Sequence, residues 1–183
     1  MLRKVIVIIG SRNPEGQTAK AADALTKGLE EKSLEIEKFF LPEMKIEHCR
    51  QCENDGWGTC RSGEKCMVGD DFGMLVEKLG ATDLVVFATP VYFSDISESI
   101  RAFLERLRRL TIHQPPEKRV TNRKAVGICV AGGGGGGASN CVGSLEKILL
   151  SAGFDVVDMV PARRQNLNIK MDLLKILGRR LAE

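Results

Sequence analysis

Continuous apolar runs alternate with helix-spaced apolar stripes from one end of the chain to the other. Residues 5–9 form an unbroken β-branched run, the pattern of a strand buried on both faces. From about residue 18 to 32, Ala21, Ala22, Leu25 and Leu29 recur at helical spacing among Lys and Glu. Residues 34–40 alternate apolar with charged, which predicts a strand nearer an edge. A helix is expected over 71–79 on the stripe Phe72, Leu75, Val76 and Leu79, and a second over 96–110 on Ile100, Phe103, Leu104 and Leu107. Buried strands are expected at 84–88 and 125–131. A helix over 142–150, a strand over 156–160 and a helix over 173–181 close the chain. Residues 41–69 lack a period; they hold Pro42, Gly56, Gly58, Gly63 and Gly69 and read as a long functional loop or a small inserted subdomain.

Strand and helix alternate throughout, which calls for right-handed crossovers and a parallel sheet with helices on both faces. No repeat or linker divides the 183 residues, so residues 1–183 read as one domain with 41–70 inserted. A net charge of +3 and only 5% aromatic residues argue against a nucleic-acid binder. No apolar run approaches the ~20 residues that span a bilayer. The N-terminus has a basic start and a short apolar stretch but no small-residue cleavage site, so it reads as a strand and a cytoplasmic location is expected.

In open parallel sheets, ligands sit beyond the carboxyl ends of the strands, where strand order reverses. Three loops there are unusual. The first, Gly10-Ser11-Arg12-Asn13-Pro14-Glu15-Gly16-Gln17-Thr18, runs from a buried strand into a helix and brings free N–H groups and the helix dipole to one point. It suits a phosphate, although its glycine spacing and Gln17 exclude a nucleotide-triphosphate loop and it is not a dinucleotide fingerprint. The second, with Thr89, Pro90, Val91, Tyr92, Phe93 and Ser94 before Ser97, suits a flat heteroaromatic ring. The third is a run of six glycines from Gly132, where backbone can approach a ligand closely. Singly, each also suits a plainer role: a polar turn with an Asn or Thr cap, aromatics capping the core with Ser97 as N-cap, or a mobile tip.

Four of six cysteines, Cys49, Cys52, Cys60 and Cys66, fall within 18 residues. Four thiolates this close suit a [4Fe–4S] cluster or a tetrahedral zinc, or stay redox thiols. Cys129 lies mid-strand and reads as core, Cys141 opens a helix, and His48 and His113 have no partner pattern.

The phosphate-type loop, Asp70-Asp71 after the cysteines, the run 88–93 with Ser97, the helix ending Phe103-Leu104-Glu105-Arg106 and the glycine loop together resemble the NADPH-dependent FMN reductases and the iron–sulfur flavoproteins beside them. The resemblance covers roughly residues 3–155. It implies a flavodoxin-like, doubly wound five-stranded sheet in the order 2-1-3-4-5. It also implies that Ser11, Arg12, Asn13, Gln17 and Thr18 hold the FMN phosphate. Pro90, Val91, Tyr92, Phe93 and Ser94 would line the isoalloxazine ring, and the loop from Gly132 and Gly133 would complete the pocket. The iron–sulfur members carry a more compact cysteine run than this one, which has residues 53–59 between its second and third cysteines.

These expectations describe an FMN-dependent oxidoreductase with NAD(P)H as co-substrate, a ferredoxin-type or quinone-like redox partner and an accessory [4Fe–4S] cluster on the four cysteines. Chemistry would reside on the flavin, with no dedicated acid–base pair. A homodimer is implied, built on the helix over 96–110 and the Tyr92–Phe93 loop. Two rivals differ in class: a non-catalytic electron carrier or redox sensor, and a zinc-stapled interaction module.

Overall fold

The computed structural model describes residues 2–62, 65–119 and 121–183; Gly63, named above, lies outside them. Five strands, β1 (Lys4–Ile9), β2 (Glu35–Phe40), β3 (Leu84–Pro90), β4 (Lys124–Ala131) and β5 (Asp155–Arg163), form one all-parallel sheet in the order β2-β1-β3-β4-β5. Five helices alternate with them: α1 (Gln17–Leu29), α2 (Phe72–Gly80), α3 (Glu98–Thr111), α4 (Ala138–Ala152) and α5 (Leu167–Leu181).

The β-branched runs explain the layering. Side chains alternate along a strand, so a run apolar at every position needs cover on both faces. Val5, Val7 and Ile9 of β1 join Leu84, Val86 and Ala88 of β3 in a core under α1 and α5. Ile6 and Ile8 join Val85 and Phe87 in the opposite core under α2, α3 and α4. Two glycines set the tightest helix contact: a Cβ on Gly28 of α1 would lie 2.1 Å from the Lys175 carbonyl oxygen, and one on Gly178 of α5 2.2 Å from that of Leu25.

Several boundaries differ from the sequence reading: α1 stops at Leu29 and not at residue 32, β3 runs on to Pro90, and α3 begins at Glu98. α4 begins four residues earlier than its apolar stripe, at Ala138. α5 begins six residues earlier, because its first turns carry Ile169 in solvent and so lack a two-sided signal. β5 runs on to Arg163 through Pro161, which an edge strand tolerates because no ladder needs the missing N–H there. A register shift opposite Ala125 and Val126 leaves Val157 without a paired residue. Among the described residues, no helix is long and apolar enough to cross a membrane.

Candidate functional site

Strand order reverses at β1, which has β2 on one side and β3 on the other. The loops after β1, β3 and β4 meet at the carboxyl end of this switch point. Around them lies a cleft of about 300 Å³ lined by Gln17 and Thr18 at the start of α1, by Pro90 at the end of β3 with Val91 and Tyr92 beyond it, and by Val130 and Ala131 at the end of β4 with Gly132 and Gly136 beyond them.

The first loop ends in α1, whose N-cap is Gly16 and not an Asn or Thr. Glycine has no side chain to accept the first-turn N–H groups, and that turn holds no acidic residue. The positive end of the helix therefore faces the cleft with no acidic side chain in its first turn or in the cleft lining. Thr18 is almost fully buried beside it. Ser11 and Asn13 shape the loop: the Ser11 hydroxyl donates to the Asn13 carbonyl and accepts the Asn13 N–H, both at 3.2 Å. Asn13 also accepts the Glu15 N–H on its side chain at 2.9 Å and the Gly16 N–H on its carbonyl at 3.0 Å. Arg12 turns the other way, largely in solvent, and pairs with Glu98 of α3 at 2.5 Å. A Cβ on Gly10 would lie 2.4 Å from both Ile100 and Ser97, so the strand end packs directly on α3.

The second loop is a two-residue turn. Tyr92 and Asp95 exchange backbone hydrogen bonds of 3.0 and 2.9 Å, which leaves Phe93 and Ser94 at its tip with φ of +49° and +65°. Left-handed backbone costs a non-glycine residue about 1–2 kcal/mol, so the turn must be held from outside. Asp95 does this by accepting the Ile96 N–H at 2.8 Å and pairing with Arg101 at 2.5 Å. Burial raises the Asp95 pKa, but the Ile96 N–H and Arg101 outweigh it and leave the carboxyl below the ordinary range. Ser97 caps α3 as expected, through Ile100 N–H. Tyr92 and Phe93 do not cap the core: Tyr92 lines the cleft while half exposed, and Phe93 points wholly into solvent. Phe93 borders a larger neighbouring cavity of about 600 Å³, shared with Arg12, His48, Tyr92, Glu98 and Arg101.

Ser94 supports the third loop from outside the cleft. A Cβ on Gly137 would lie 2.5 Å from the Ser94 hydroxyl, and its φ of +79° is one that only glycine adopts freely. By contrast, a Cβ on Gly132, Gly133, Gly134 or Gly136 would meet nothing within 4 Å. That face of the loop is bare backbone toward open space. Of the expected flavin contacts, Gln17, Thr18, Pro90, Val91, Tyr92 and Gly132 share the cleft. Ser11, Asn13 and Ser94 shape its loops, while Arg12 and Phe93 face the neighbouring cavity. Gly133, expected beside Gly132, is not among the lining residues, whereas Val130, Ala131 and Gly136, which sequence reading did not single out, are; sequence reading also gave His48 no role, because a position brought near Tyr92 only by the fold leaves no local signal.

The cysteine loop is docked on α3. Asp70 accepts the Glu47 N–H at 2.8 Å and Asp71 accepts the Lys45 N–H at 2.7 Å, closing the loop at its base. Arg106 of α3, almost fully buried, clamps that base: it pairs with Asp70 at 2.6 and 2.9 Å, donates to the Glu47 carbonyl at 3.0 Å and to the Cys66 sulfur at 3.3 Å, and lies over the Phe72 ring. One turn on, Arg109 stacks 3.9 Å over Trp57, whose edge meets His113. Cys49, Cys52, Cys60 and Cys66 are free, half-buried thiols. Among the described residues they are not drawn together into a metal-binding group. Cys129 and Cys141 are core residues, and the Cys141 hydrogen bond together with burial pushes the Cys129 thiol up, which keeps it protonated and inert.

The parallel sheet, its strand order and the cleft at its switch point define a flavodoxin-like protein. Residues 3–172 match the NADPH-dependent FMN reductase family, and the chain belongs to it. An iron-sulfur flavoprotein of Archaeoglobus fulgidus is 32% identical over 104 residues, 57% of this chain and 45% of that protein. One of Methanocaldococcus jannaschii is 29% identical over 130 residues, 71% of this chain and 65% of that protein. The chain thus spans between about half and two-thirds of these relatives' length. The NAD(P)H:quinone oxidoreductase of Methanothermobacter marburgensis superposes with a TM-score of 0.78, covering 100% of this chain and 98% of that one at 20% identity, a likeness of fold.

The cleft fits FMN on its own chemistry. A phosphate needs N–H donors and no carboxylate nearby, and the lining offers the uncapped α1 N-terminus, Gln17 and Thr18 with no acidic residue. A flat ring needs an apolar wall and edge-on backbone groups, which Pro90, Val91 and Tyr92 and the open glycine loop present. For an iron–sulfur cluster, the donor type fits but the present spread of the four thiols does not.

Proposed function

We propose that the protein is an FMN-dependent oxidoreductase that takes electrons from NAD(P)H and passes them to a small or protein acceptor. The observation that carries this reading is the carboxylate-free cleft at the switch point, with the bare N-terminus of α1 at one end and glycine backbone at the other. FMN, when bound, supplies the redox chemistry. The chain's own residues bind and orient it. The N–H groups at the start of α1, with Gln17 and the Thr18 hydroxyl, hold the phosphate. Ser11 and Asn13 keep the loop in the conformation that aims those donors. Pro90, Val91 and Tyr92 form the ring's wall, and Gly132 and Gly133 bring backbone to its edge. Arg12, Phe93 and Ser94 act from outside, Arg12 and Phe93 on the adjoining cavity where a co-substrate has access and Ser94 on the glycine loop.

The finer reading keeps an accessory [4Fe–4S] cluster on Cys49, Cys52, Cys60 and Cys66. Its support is four free thiols in one loop and the names of the relatives; holding it requires the loop to draw the thiols together. Anaerobic purification tests both readings. A yellow protein releasing one FMN per chain and oxidising NAD(P)H with an added quinone supports the first. A protein that binds FMN without turning over NAD(P)H is a carrier, and one that takes up no FMN ends the proposal. About four iron and four sulfide per chain support the cluster, and one zinc or no metal refutes it.

A further inference from the structure

The glycine loop has no side chains of its own between Gly132 and Gly137, yet it is held at two points. Ser94 packs against its end at Gly137. Its middle is held from the opposite flank, by the joint between β5 and α5. There Asn166 accepts the Arg163 N–H on its side-chain oxygen at 2.8 Å and closes a short turn, Arg164–Asn166, with Gln165 at its centre. Gln165 donates from Nε2 to the Gly134 carbonyl at 3.2 Å. A Cβ on Gly135, whose φ is +77°, would lie 2.6 Å from Gln165 Oε1 and 3.1 Å from the Arg163 Cβ, so the loop sits directly on this joint. Gln165 itself lines neither the cleft nor the cavity beside it.

We propose that Gln165 is a positioning residue that sets the glycine loop for its approach to the flavin ring, an inference that rests on the reading of the cleft as an FMN site. A trans peptide is planar, with its C=O and N–H opposed. Drawing the Gly134 oxygen toward Gln165 therefore turns the Gly135 N–H the other way, where it closes a turn on the Gly132 carbonyl at 2.9 Å. Gly133 and Gly134 are the central residues of that turn. Among the described residues, the N–H groups of Gly133, Gly134 and Gly136 have no hydrogen-bond partner. These are the donors left free for the heteroatoms at a ring edge, in a loop that reaches the cleft at Gly132 and Gly136. Glycine loses more conformational freedom on ordering than any other residue. Six in a row hold one shape only when tied from outside. Among the described residues, Gln165 supplies the one side-chain hydrogen bond that residues 132–137 receive.

Gln165→Met keeps the length of the side chain and removes the donor. By fluorescence titration, FMN and riboflavin should both bind about three- to fivefold more weakly, the loss of one solvent-facing hydrogen bond. The equal loss is the signature, since a change at the phosphate end spares riboflavin. Melting of the flavin-free protein should not move, while exchange of the Gly135 amide, followed by NMR on the same protein, should speed up. Gln165→Glu, which sets a carboxylate against the Gly134 carbonyl, should act in the same direction at least as strongly. Unchanged affinity for both flavins, or a loss confined to FMN, overturns the proposal. So does an unchanged Gly135 exchange rate, or a fall in melting that accompanies the loss of affinity. A wild type that takes up neither flavin ends the FMN reading and this role with it, whereas FMN uptake that both variants leave alone ends this role only.

Discussion

Replacing Arg106 with Met removes the clamp between α3 and the cysteine loop while keeping most of its apolar stem. The side chains of Arg106 and Asp70 are 1% and 0% exposed. Breaking such a pair from one side strands a buried charge, which costs about 3–5 kcal/mol. In a chain of this length that lowers the melting temperature by roughly 10 °C. The pH dependence gives the reasoning a signature. Burial raises the Asp70 pKa, but the Arg106 hydrogen bonds and the Glu47 N–H outweigh it and hold the carboxyl below its ordinary value. A depressed carboxyl contributes stability above its unfolded pKa and loses it as pH falls through the folded one. Without Arg106, burial dominates and Asp70 is raised, so the penalty is largest at neutral pH and fades in acid. The gap between wild type and Arg106→Met should therefore narrow from pH 7 toward pH 4. The double variant Arg106→Met/Asp70→Asn, with no charge to strand, should recover most of the loss at pH 7. Calorimetry or circular-dichroism melting of the three proteins reads this out. A deficit under about 1 kcal/mol at pH 7, or one constant across that range, would refute the buried-charge account.

Thr18→Val should weaken FMN by about 1–3 kcal/mol, the range for a bond to a charged group, and leave riboflavin unaffected when both are titrated by fluorescence. Arg12→Ala should cost less than about fivefold, since that guanidinium is exposed and already paired with Glu98. Gly136→Ala should leave the melting temperature unchanged and reduce FMN affinity, because a Cβ there meets nothing in the fold while the residue lines the cleft. Gly137→Ala should lower both, losing at least about 1 kcal/mol of stability to its left-handed backbone, with the Ser94 clash added. Gly28→Ala should destabilise by about 1–3 kcal/mol through overpacking at the α1–α5 crossing, without changing the preference for FMN over riboflavin.

Local sequence was enough to determine the layered sheet. A run such as Val5–Ile9 has no polar face to give to water, so it dictates a central strand with helices on both sides. The same holds for the regions of the site, because a parallel sheet puts every loop after a strand at one end. Gly16 before Gln17 and Thr18, Pro90 before Val91 and Tyr92, and the six glycines are therefore legible as one neighbourhood from the sequence alone. Which side chains enter the cleft was not. Arg12 and Phe93 sit among true lining residues in sequence, yet Arg12 is drawn away by Glu98, 86 positions distant. Phe93 is turned outward by a two-residue turn that Asp95, Arg101 and Gly137 hold in place. His48 reaches the cavity, and Arg106 reaches Asp70 and Cys66, only because α3 packs against a loop that has no period of its own. Backbone pattern is a local property of the chain. The direction of a loop side chain is set by partners the chain meets only after folding, and here it decided which residues face the cleft.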